Sequence, residues 1–337
     1  MARNQIIERN ENWGCLRYNT SLHQFSYTEK LPKTSEPYAS LPVVLNIVIS
    51  RRCNMNCRYC VAKDFAGIVN EDLILSNDLI RWLNNSPFML LVLTGGEPLM
   101  PPYDAVSLRL INSIKRRGII IDTNGTWLPD RTVLNQLKKH NVMVRVSMDS
   151  ISPEEEIEQR KVGRGQKLDD HSAYYEKLNN ILKFQSAGIC TAVQTVIWRS
   201  NSSSLYQMIY WLADHGIKRW YLQRLIPSHR FKKPTGRFVL EKSKYYSEAT
   251  SIAKKARAVG IECVAKMDLR HNSVFLLTAD GELYTQGNAP GQKVRLGRFH
   301  DINNYFDYVS AADHACRYYI ADVTTEDPKT RQGIEKG

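Results

Sequence analysis

Three cysteines stand within eight residues of one another, in the segment RRCNMNCRYC of residues 51–60. They are Cys53, Cys57 and Cys60, with the spacing C-x3-C-x2-C. Three thiolates in one loop can ligate three irons of a cubane cluster, which leaves the fourth iron without a protein ligand. Structural zinc sites take four ligands, often in two paired knuckles, and no second C-x2-C pair occurs here. The spacing therefore favours an iron–sulfur cluster, with zinc and a chance grouping as the alternatives.

The composition indicates which classes of protein are compatible with such a cluster. The chain has seven cysteines and no signal-peptide pattern at its start, which argues against a disulfide framework. No apolar run approaches the ~18 residues of a membrane span, so we expect a cytoplasmic protein with no membrane partner. There are 46 basic and 34 acidic residues, a net charge of +12. This excess favours an anionic partner such as a nucleotide, a nucleic acid or an acidic peptide; the alternative is a solubilising surface.

Short apolar runs alternate with amphipathic segments from residue 43 onward, which predicts an α/β fold. The predicted strands cover residues 43–50, 88–94, 118–122, 142–148, 188–198 and 217–225. The predicted helices cover residues 75–85, 103–117, 130–140, 170–187 and 202–215, with Ser76 as an N-cap and with Gly188 and Gly216 at C-terminal ends. Six such units predict a parallel sheet with right-handed crossovers, in a partial (β/α)6 TIM-like barrel.

The pattern changes on either side of this barrel. Residues 1–42 show no sustained period and form an N-terminal segment, and residues 43–237 form the barrel. Residues 238–325 form a small α+β extension, in which we predict a helix over 241–259 and a hairpin over 273–286. Ala279-Asp280-Gly281 is the turn signal of that hairpin. Residues 326–337 are polar and predict a flexible tail.

Polar motifs follow four of the predicted strands at their carboxyl ends, where chemistry takes place in such barrels. After the second strand stands LTGGEP, which contains Gly95, Gly96 and Glu97. DTNG, with Asn124, follows the third strand, and SMDS, with Ser147 and Asp149, follows the fourth. With the cysteines and the aromatic Tyr59 before the last of them, these motifs resemble the signatures of radical S-adenosylmethionine (SAM) enzymes: CxxxCxΦC, GGEP, TNG and SxD.

The resemblance implies one [4Fe–4S] cluster on Cys53, Cys57 and Cys60, with SAM chelating its open iron. In that family one electron, here expected from a flavodoxin- or ferredoxin-like reductant, cleaves SAM to methionine and a 5′-deoxyadenosyl radical, which abstracts hydrogen from the substrate. Glu97 is expected to take the SAM ammonium, Gln194 the ribose and Leu222 the adenine; for the last two, ordinary barrel interior is the alternative. The expected cofactor-binding residues are Tyr59, Gly95, Gly96, Glu97, Asn124, Ser147, Asp149, Gln194 and Leu222.

The segment LLTADGELYTQ (276–286) resembles the start of the SPASM or twitch extension of peptide-modifying radical SAM enzymes. Gln286 stands where that pattern has a cysteine, and no C-x2-C-x5-C follows. The segment 297–308 resembles the end of such a module. We therefore predict a degenerate extension without an auxiliary cluster.

Two further features allow a functional and a structural interpretation. The loop 226–237 carries four cations and no acid, and it could bind a phosphate or an acidic peptide or be a solvated basic loop. Its cations are Arg230, Lys232, Lys233 and Arg237. Cys316 could return a hydrogen atom to a product radical, or it could be a small buried residue.

The leading hypothesis is a radical SAM enzyme that modifies a peptide, as natural-product maturases do. It rests on the resemblance of the extension and is therefore an analogy. The second hypothesis is modification of a nucleotide or nucleic acid, favoured by the charge and the basic loop; Asp122, where related nucleotide cyclases carry threonine, slightly disfavours it. A non-catalytic iron–sulfur sensor is the third, although a sensor would not need Gly95 to Glu97.

Overall fold

The computed structural model describes residues 5–11, 14–29, 38–39, 41–60, 75–225, 238–265, 274–286, 293–301 and 318–319. The strands before and within the barrel are β1 Ile6–Glu11, β2 Gly14–Asn19, β3 Gln24–Glu29, β4 Tyr38–Ala39, β5 Val44–Ser50, β6 Leu90–Gly95, β7 Gly118–Thr123, β8 Met143–Ser147, β9 Cys190–Ile197 and β10 Arg219–Arg224. The later strands are β11 Glu262–Ala265, β12 Val274–Leu277, β13 Glu282–Gln286, β14 Lys293–Arg298 and β15 Tyr318–Tyr319. The α-helices are α1 Asn77–Asn85, α2 Tyr103–Ser113, α3 Arg131–Lys139, α4 Pro153–Gln159, α5 Asp170–Ser186, α6 Leu205–Asp214 and α7 Lys242–Ala258.

The central sheet has ten strands in the order β11-β10-β9-β8-β7-β6-β5-β12-β13-β14. Strands β5 to β10 run parallel and in sequence order, with helices between them, as the predicted partial barrel requires. Their side chains are buried almost continuously, which is typical of strands covered on both faces. The predicted fold class is confirmed.

Helix boundaries follow the capping signals in the sequence. Ser76 accepts a hydrogen bond from the Leu79 backbone N–H at 3.2 Å, and so begins α1. Gly188 and Gly216 follow α5 and α6 with φ of 75° and 69°, a conformation that favours glycine. Helix α4 was not predicted, although Ser152 caps it and a proline occupies its first turn, which are both start signals.

The N-terminal segment contains three antiparallel strands, which the sequence analysis did not predict. Leu16 and Tyr18 of β2 and Phe25 of β3 pack against the first inward-facing residues of the barrel strands, such as Val44 and Leu90. This small sheet therefore closes the amino-terminal end of the barrel. Each strand has only six residues, few of them apolar, so the periodic signal was too short to recognise.

The C-terminal extension continues the barrel sheet. The predicted hairpin is present as β12 and β13, and β12 pairs in parallel with β5. On the other edge, β11 pairs in parallel with β10. Phe299, which follows β14, lies 5.7 Å from the Trp82 ring of α1. The sequence analysis treated these residues as a separate extension; in the structure they lengthen the same sheet. Among the described residues, no helix has the length and apolarity needed to cross a bilayer.

Candidate active site

The three clustered cysteines line one cavity of about 260 Å³ at the carboxyl ends of the barrel strands. Cys57 is buried, while Cys53 and Cys60 are half-buried. The remaining lining residues come from the cysteine loop itself, from the ends of β6 to β10 and from the loops that follow those strands. They are Met55, Tyr59, Thr94, Gly95, Gly96, Asp122, Thr123, Asn124, Ser147, Asp149, Arg160, Gln194, Val196, Gln223, Arg224 and Leu225.

The cysteine loop is held by main-chain hydrogen bonds to the segment after α4. The Asn56 N–H donates to the Lys161 carbonyl at 2.6 Å, and the Arg58 N–H donates to the Gln159 carbonyl at 2.8 Å. The Gly163 N–H donates to the Asn54 carbonyl at 2.7 Å. These bonds satisfy buried backbone groups of a loop that has no regular structure. The segment 159–163 therefore fixes the path of the chain between Cys53 and Cys60.

Gly95 and Gly96 bring β6 against the chain that leads into the cysteine loop. A Cβ on Gly96 would lie 1.8 Å from the Arg52 carbonyl oxygen, and one on Gly95 would lie 2.4 Å from the Ser50 carbonyl oxygen. The space permits the Gly96 N–H to donate to the Ser50 carbonyl at 2.5 Å. Both glycines are predicted from the sequence to bind the cofactor; in the structure they permit close approach of the protein's own backbone.

Glu97 is fully buried, and its carboxylate binds protein groups. Oε1 accepts hydrogen bonds from the Thr123 hydroxyl at 2.7 Å and the Leu99 N–H at 3.0 Å, and Oε2 accepts one from the Asn124 N–H at 2.7 Å. Burial raises the pKa of Glu97, and the Asn124 N–H opposes that rise. Glu97 is not among the residues that line the cavity. The structure thus gives it partners other than the predicted ammonium: it joins the ends of β6 and β7.

Asn124 joins the end of β7 to the cysteine loop. Its amide nitrogen donates to Asn54 Oδ1 at 2.8 Å and lies 3.5 Å from Cys53 Sγ. Asn54 in turn donates to the Thr126 hydroxyl at 2.7 Å. Burial, followed by the nearby Glu97 charge, raises the pKa of Cys53 to about 12. Ligation of iron by this thiol must therefore release its proton.

A buried ionic cluster lies beside Cys57, and the sequence analysis identified only two of its members, Tyr59 and Asp149. The Tyr59 hydroxyl donates to Asp149 Oδ2, and Arg160 donates to the Tyr59 oxygen. Arg160 Nη1 also lies 3.5 Å from Asp149 Oδ2. Glu156 accepts the Asp149 N–H at 2.7 Å and pairs with Lys177. All five side chains are largely buried, so each charge needs its partners.

Arg160 is the member of this ionic cluster that adds a positive charge to the cavity. Its side chain is only 7% exposed, yet it lines the cavity. Burial raises the pKa of Cys57, and the charge of Arg160 opposes that rise. The sequence pattern that could have identified Arg160 is the α4 segment. This segment has an acidic first turn, ends at the arginine and follows directly on the SMDS motif.

Side chains along β9 and β10 alternate between the two faces of the sheet, and this places the predicted cofactor residues Gln194 and Leu222 in different surroundings. Gln194 of β9 lines the cavity, and its side-chain oxygen is buried without a partner in the described chain. Leu222 of β10 is fully buried in the core and is not among the residues that line the cavity, so its contact with adenine stays a prediction. Its neighbours Gln223 and Leu225 line the cavity instead.

The floor of the cavity contains an ion pair between two barrel strands. Arg145 Nε lies 2.7 Å from Asp122 Oδ1, and Nη2 lies 2.9 Å from Oδ2. The guanidinium also lies 5.0 Å from the centre of the Tyr221 ring. Asp122 lines the cavity, and its ion pair with Arg145 carries no net charge. This ion pair closes the cavity above the apolar interior.

Several predicted residues lie outside the described part of the chain. They are the basic loop residues Arg230, Lys232, Lys233 and Arg237, and Cys316. Their roles stay predictions. Cys15 and Cys263 are buried in the fold, and Cys190 begins β9 at the opposite end of the barrel from the cavity.

The cavity lining fits an iron–sulfur cluster, because a cubane takes its thiolates at separate irons around one cavity. Three cysteines around one cavity provide ligands for a cluster. The Gln194 oxygen, which has no partner in the described part of the chain, and the charge of Arg160 provide polar contacts for an organic cofactor.

The chain is similar to known proteins over part or most of its length. The model of the radical SAM superfamily matches residues 47–199. The SAM-dependent nucleotide dehydratase of Lacinutrix mariniflava is 28% identical over 207 residues, which are 57% of this chain and 40% of that relative. The chain therefore spans well under half the length of this curated relative.

Two solved structures share the fold over most of both chains. The anSMEcpe structure with AdoMet and the Cp18Cys peptide has a TM-score of 0.61 at 16% identity, covering 86% of each chain. Streptococcus suis SuiB bound to its precursor peptide SuiA has a TM-score of 0.59 at 13% identity, covering 100% of this chain and 91% of that one. Residues 47–199 therefore form a radical SAM domain, and the two solved structures show that the fold is shared.

Proposed function

We propose that this protein cleaves SAM reductively at a [4Fe–4S] cluster and uses the resulting radical to abstract hydrogen from a peptide. The observation that carries the proposal is the convergence of Cys53, Cys57 and Cys60 on one cavity with polar ends of the parallel strands. Cys53, Cys57 and Cys60 would hold the cluster. When bound, the cluster and SAM would together supply a 5′-deoxyadenosyl radical.

The chain's own groups bind and orient SAM. The Arg160 guanidinium, with the Ser147 hydroxyl, would bind its carboxylate, because both line the cavity and Arg160 offers a buried positive charge. Gln194 presents a polar group suited to the ribose and gains the partner that its oxygen lacks, while Asn124 holds the cysteine loop beside the cavity.

Apolar and fixed polar groups keep water from the reacting atoms. Val196 and Leu225 line one wall, and the Trp198 ring lies behind Tyr59 at 5.7 Å. The neutral Asp122–Arg145 pair closes the floor without an unpaired charge. Such a lining limits side reactions of a reactive species.

The peptide substrate is supported by likeness of fold. The anSMEcpe and SuiB structures were solved with peptides, and their likeness covers 86% and 100% of this chain. The continuous sheet from β11 to β14 is consistent with a scaffold of that kind.

The experiment begins with anaerobic reconstitution using iron and sulfide. SAM and dithionite are then added, and 5′-deoxyadenosine is measured by mass spectrometry. Cys57→Ala should abolish the product and lower the iron content, whereas the control Cys190→Ala, at the far end of the barrel, should retain both. Zinc binding in place of iron, or equal loss in both variants, would contradict the proposal.

A nucleotide substrate is the second candidate, and two observations favour it. The chain carries a net charge of +12, and the Lacinutrix relative is named as a nucleotide dehydratase. Titration with nucleoside triphosphates separates the candidates. Binding that is lost in Lys232→Ala and Arg237→Ala would favour the nucleotide, and peptide-dependent 5′-deoxyadenosine release would favour the peptide.

A further inference from the structure

Arg224, the last residue of β10, is a half-buried cation that lines the cavity. Its Nη2 lies 3.5 Å from the Leu240 carbonyl oxygen, which is at the outer limit of a hydrogen bond. Its Nε is buried and has no hydrogen-bond partner in the described part of the chain. A guanidinium carries five N–H donors. The described chain therefore leaves most of the donors of Arg224 without an acceptor.

The other charged groups that line the cavity are paired with an opposite charge. Asp122 lies 2.7 Å from Arg145, and Asp149 lies 3.5 Å from Arg160. Arg224 forms no ion pair with any residue that the structure describes. Among the described residues, its positive charge at the cavity is therefore the one without a counter-charge.

The neighbours of Arg224 along the chain do not supply the missing negative charge. Gln223 and Leu225, on either side of it, line the cavity and are uncharged. Residues 226–237 contain no aspartate or glutamate. A cation that is partly removed from water is stabilised by a paired anion and by hydrogen bonds to it. An anionic group of a bound molecule would supply both the charge and the acceptors that Arg224 lacks.

The charge and shape of a guanidinium favour a carboxylate as this anionic group. One arginine balances one carboxylate, whereas a nucleoside triphosphate would bring several negative charges. The other cation at the cavity, Arg160, already lies beside Asp149. The planar fork of arginine also matches the two oxygens of a carboxylate. Within a peptide, aspartate and glutamate side chains present this group at neutral pH.

We propose that Arg224 selects the substrate by binding an aspartate or glutamate side chain of the peptide, close to the residue that loses hydrogen. The inference rests on the proposed function, because it requires a peptide in this cavity. The two parts of the peptide lie close together because Arg224 and the three cysteines line the same cavity of about 260 Å³. In this role Arg224 binds the substrate and transfers no atom or electron.

The first experiment selects peptides on the reconstituted holoenzyme with SAM, without reductant and under anaerobic conditions. The probe is a synthetic library of random octapeptides with acetylated and amidated ends, at a salt concentration that screens non-specific attraction to the basic chain. Peptides that remain bound through gel filtration are sequenced by mass spectrometry. The wild type should enrich aspartate and glutamate, and Arg224→Glu should enrich lysine and arginine instead. Lys254→Glu, which makes the same charge change at an exposed site on α7, should keep the wild-type preference.

The second experiment is a double-mutant cycle between Arg224 and the acid of one retained peptide. Calorimetry compares that peptide with its analogue in which the acid is replaced by the matching amide. The wild type should bind the acid about 10- to 100-fold more tightly, the range for a hydrogen bond to a charged group. Arg224→Gln should bind the two peptides within about twofold of each other, because the cycle removes the pair. Arg224→Lys keeps the charge without the fork and should give an intermediate ratio.

Four outcomes would overturn the inference. The first is a wild type that enriches no acidic residue, or an acid-to-amide ratio that is equal in the wild type and Arg224→Gln. The second is a preference for free C-termini, seen with a second library that has them, without enrichment of acidic side chains. The third is binding of GTP that is lost in Arg224→Gln, again without such enrichment, which would assign Arg224 to a phosphate. The fourth is a loss of SAM affinity in Arg224→Gln as large as that in Arg160→Gln, which would assign Arg224 to the cofactor.

Failure of the proposed function gives a different result. The wild type would then release no 5′-deoxyadenosine with dithionite, whichever peptides it retains. Release of 5′-deoxyadenosine by a wild type that shows no preference for acidic peptides would instead leave the proposed function intact and overturn the role of Arg224.

Discussion

Arg160 Nη1 lies 3.5 Å from Asp149 Oδ2, and the Tyr59 hydroxyl binds both side chains. Because the pair is buried yet borders the cavity, its positive end is available to an anionic group of a cofactor. This relationship connects the cysteine loop, the end of β8 and the segment after α4. It also makes Arg160 the residue whose substitution best tests how SAM is bound.

Arg160→Gln should weaken SAM binding by about 10- to 100-fold, the loss expected for a hydrogen bond to a charged group. Arg160→Lys keeps the charge but loses the planar fork, so it should recover part of the affinity. Calorimetric titration of the reconstituted protein with SAM gives both values. An equal loss with the matched control Arg219→Gln, a half-buried arginine paired with Glu262 at the other end of the barrel, would contradict this role.

Gly96→Ala should impair the cysteine loop, because its Cβ would fall 1.8 Å from the Arg52 carbonyl oxygen. Overpacking against rigid backbone costs about 1–3 kcal/mol or more, and here it would displace the chain that leads to Cys53. Iron content after reconstitution should fall. Gly165→Ala is the control: nothing lies within 4 Å of that added Cβ, so only its φ of 78° opposes the substitution. Equal iron loss in both variants would show that the close approach is unimportant.

Leu222→Ala and Gln223→Ala should affect different properties, the first the stability of the fold and the second the binding of cofactor or substrate. Leu222 is fully buried in the core, so its truncation should cost about 2–5 kcal/mol of unfolding free energy with SAM affinity unchanged. Gln223 lines the cavity, so its truncation should change SAM or substrate affinity with little effect on unfolding. Urea unfolding and calorimetry measure the two effects. A reversed pattern would support the predicted contact of Leu222 with adenine.

The barrel could be predicted from the sequence because its strands are buried on both faces and its helices carry start and stop signals. Ser76, Gly188 and Gly216 occupy the expected ends of helices. The cysteines, Gly95 and Asn124 could be identified because each belongs to a short motif at a strand end. Local patterns of this kind depend on neighbouring residues and are visible without tertiary structure.

Other features depend on contacts between distant parts of the chain. Arg160 gains its role only when it meets Tyr59 and Asp149, which lie 101 and 11 residues away in sequence. The face on which Leu222 lies could not be fixed from the sequence, because a one-residue shift along a strand moves a side chain to the other face. The pairing of β12 with β5 joins segments that are far apart in sequence, and no local pattern encodes it.

The buried His23 ring should determine how acid affects the stability of the N-terminal sheet that closes the barrel. Its ring is 6% exposed and lies 3.0 Å from the Tyr18 hydroxyl. Burial, followed by the charge of Arg219, lowers the pKa of His23 to about 3. In the unfolded chain the pKa is about 6.5, so between these values the unfolded state binds more protons. Stability attributable to His23 is therefore complete at pH 7 and is lost as the pH falls from 6.5 toward 3.

At pH 5 this loss should reach about 2 kcal/mol relative to pH 7. His23→Asn should remove it, because asparagine does not titrate and tolerates the φ of 46° at this turn. Urea unfolding of wild type and variant between pH 7 and 5 measures the difference in slope. His171→Asn, at an exposed site on α5, is the control and should keep the wild-type pH dependence. If His23→Asn loses stability with acid as steeply as the wild type, His23 is not the group that limits acid stability.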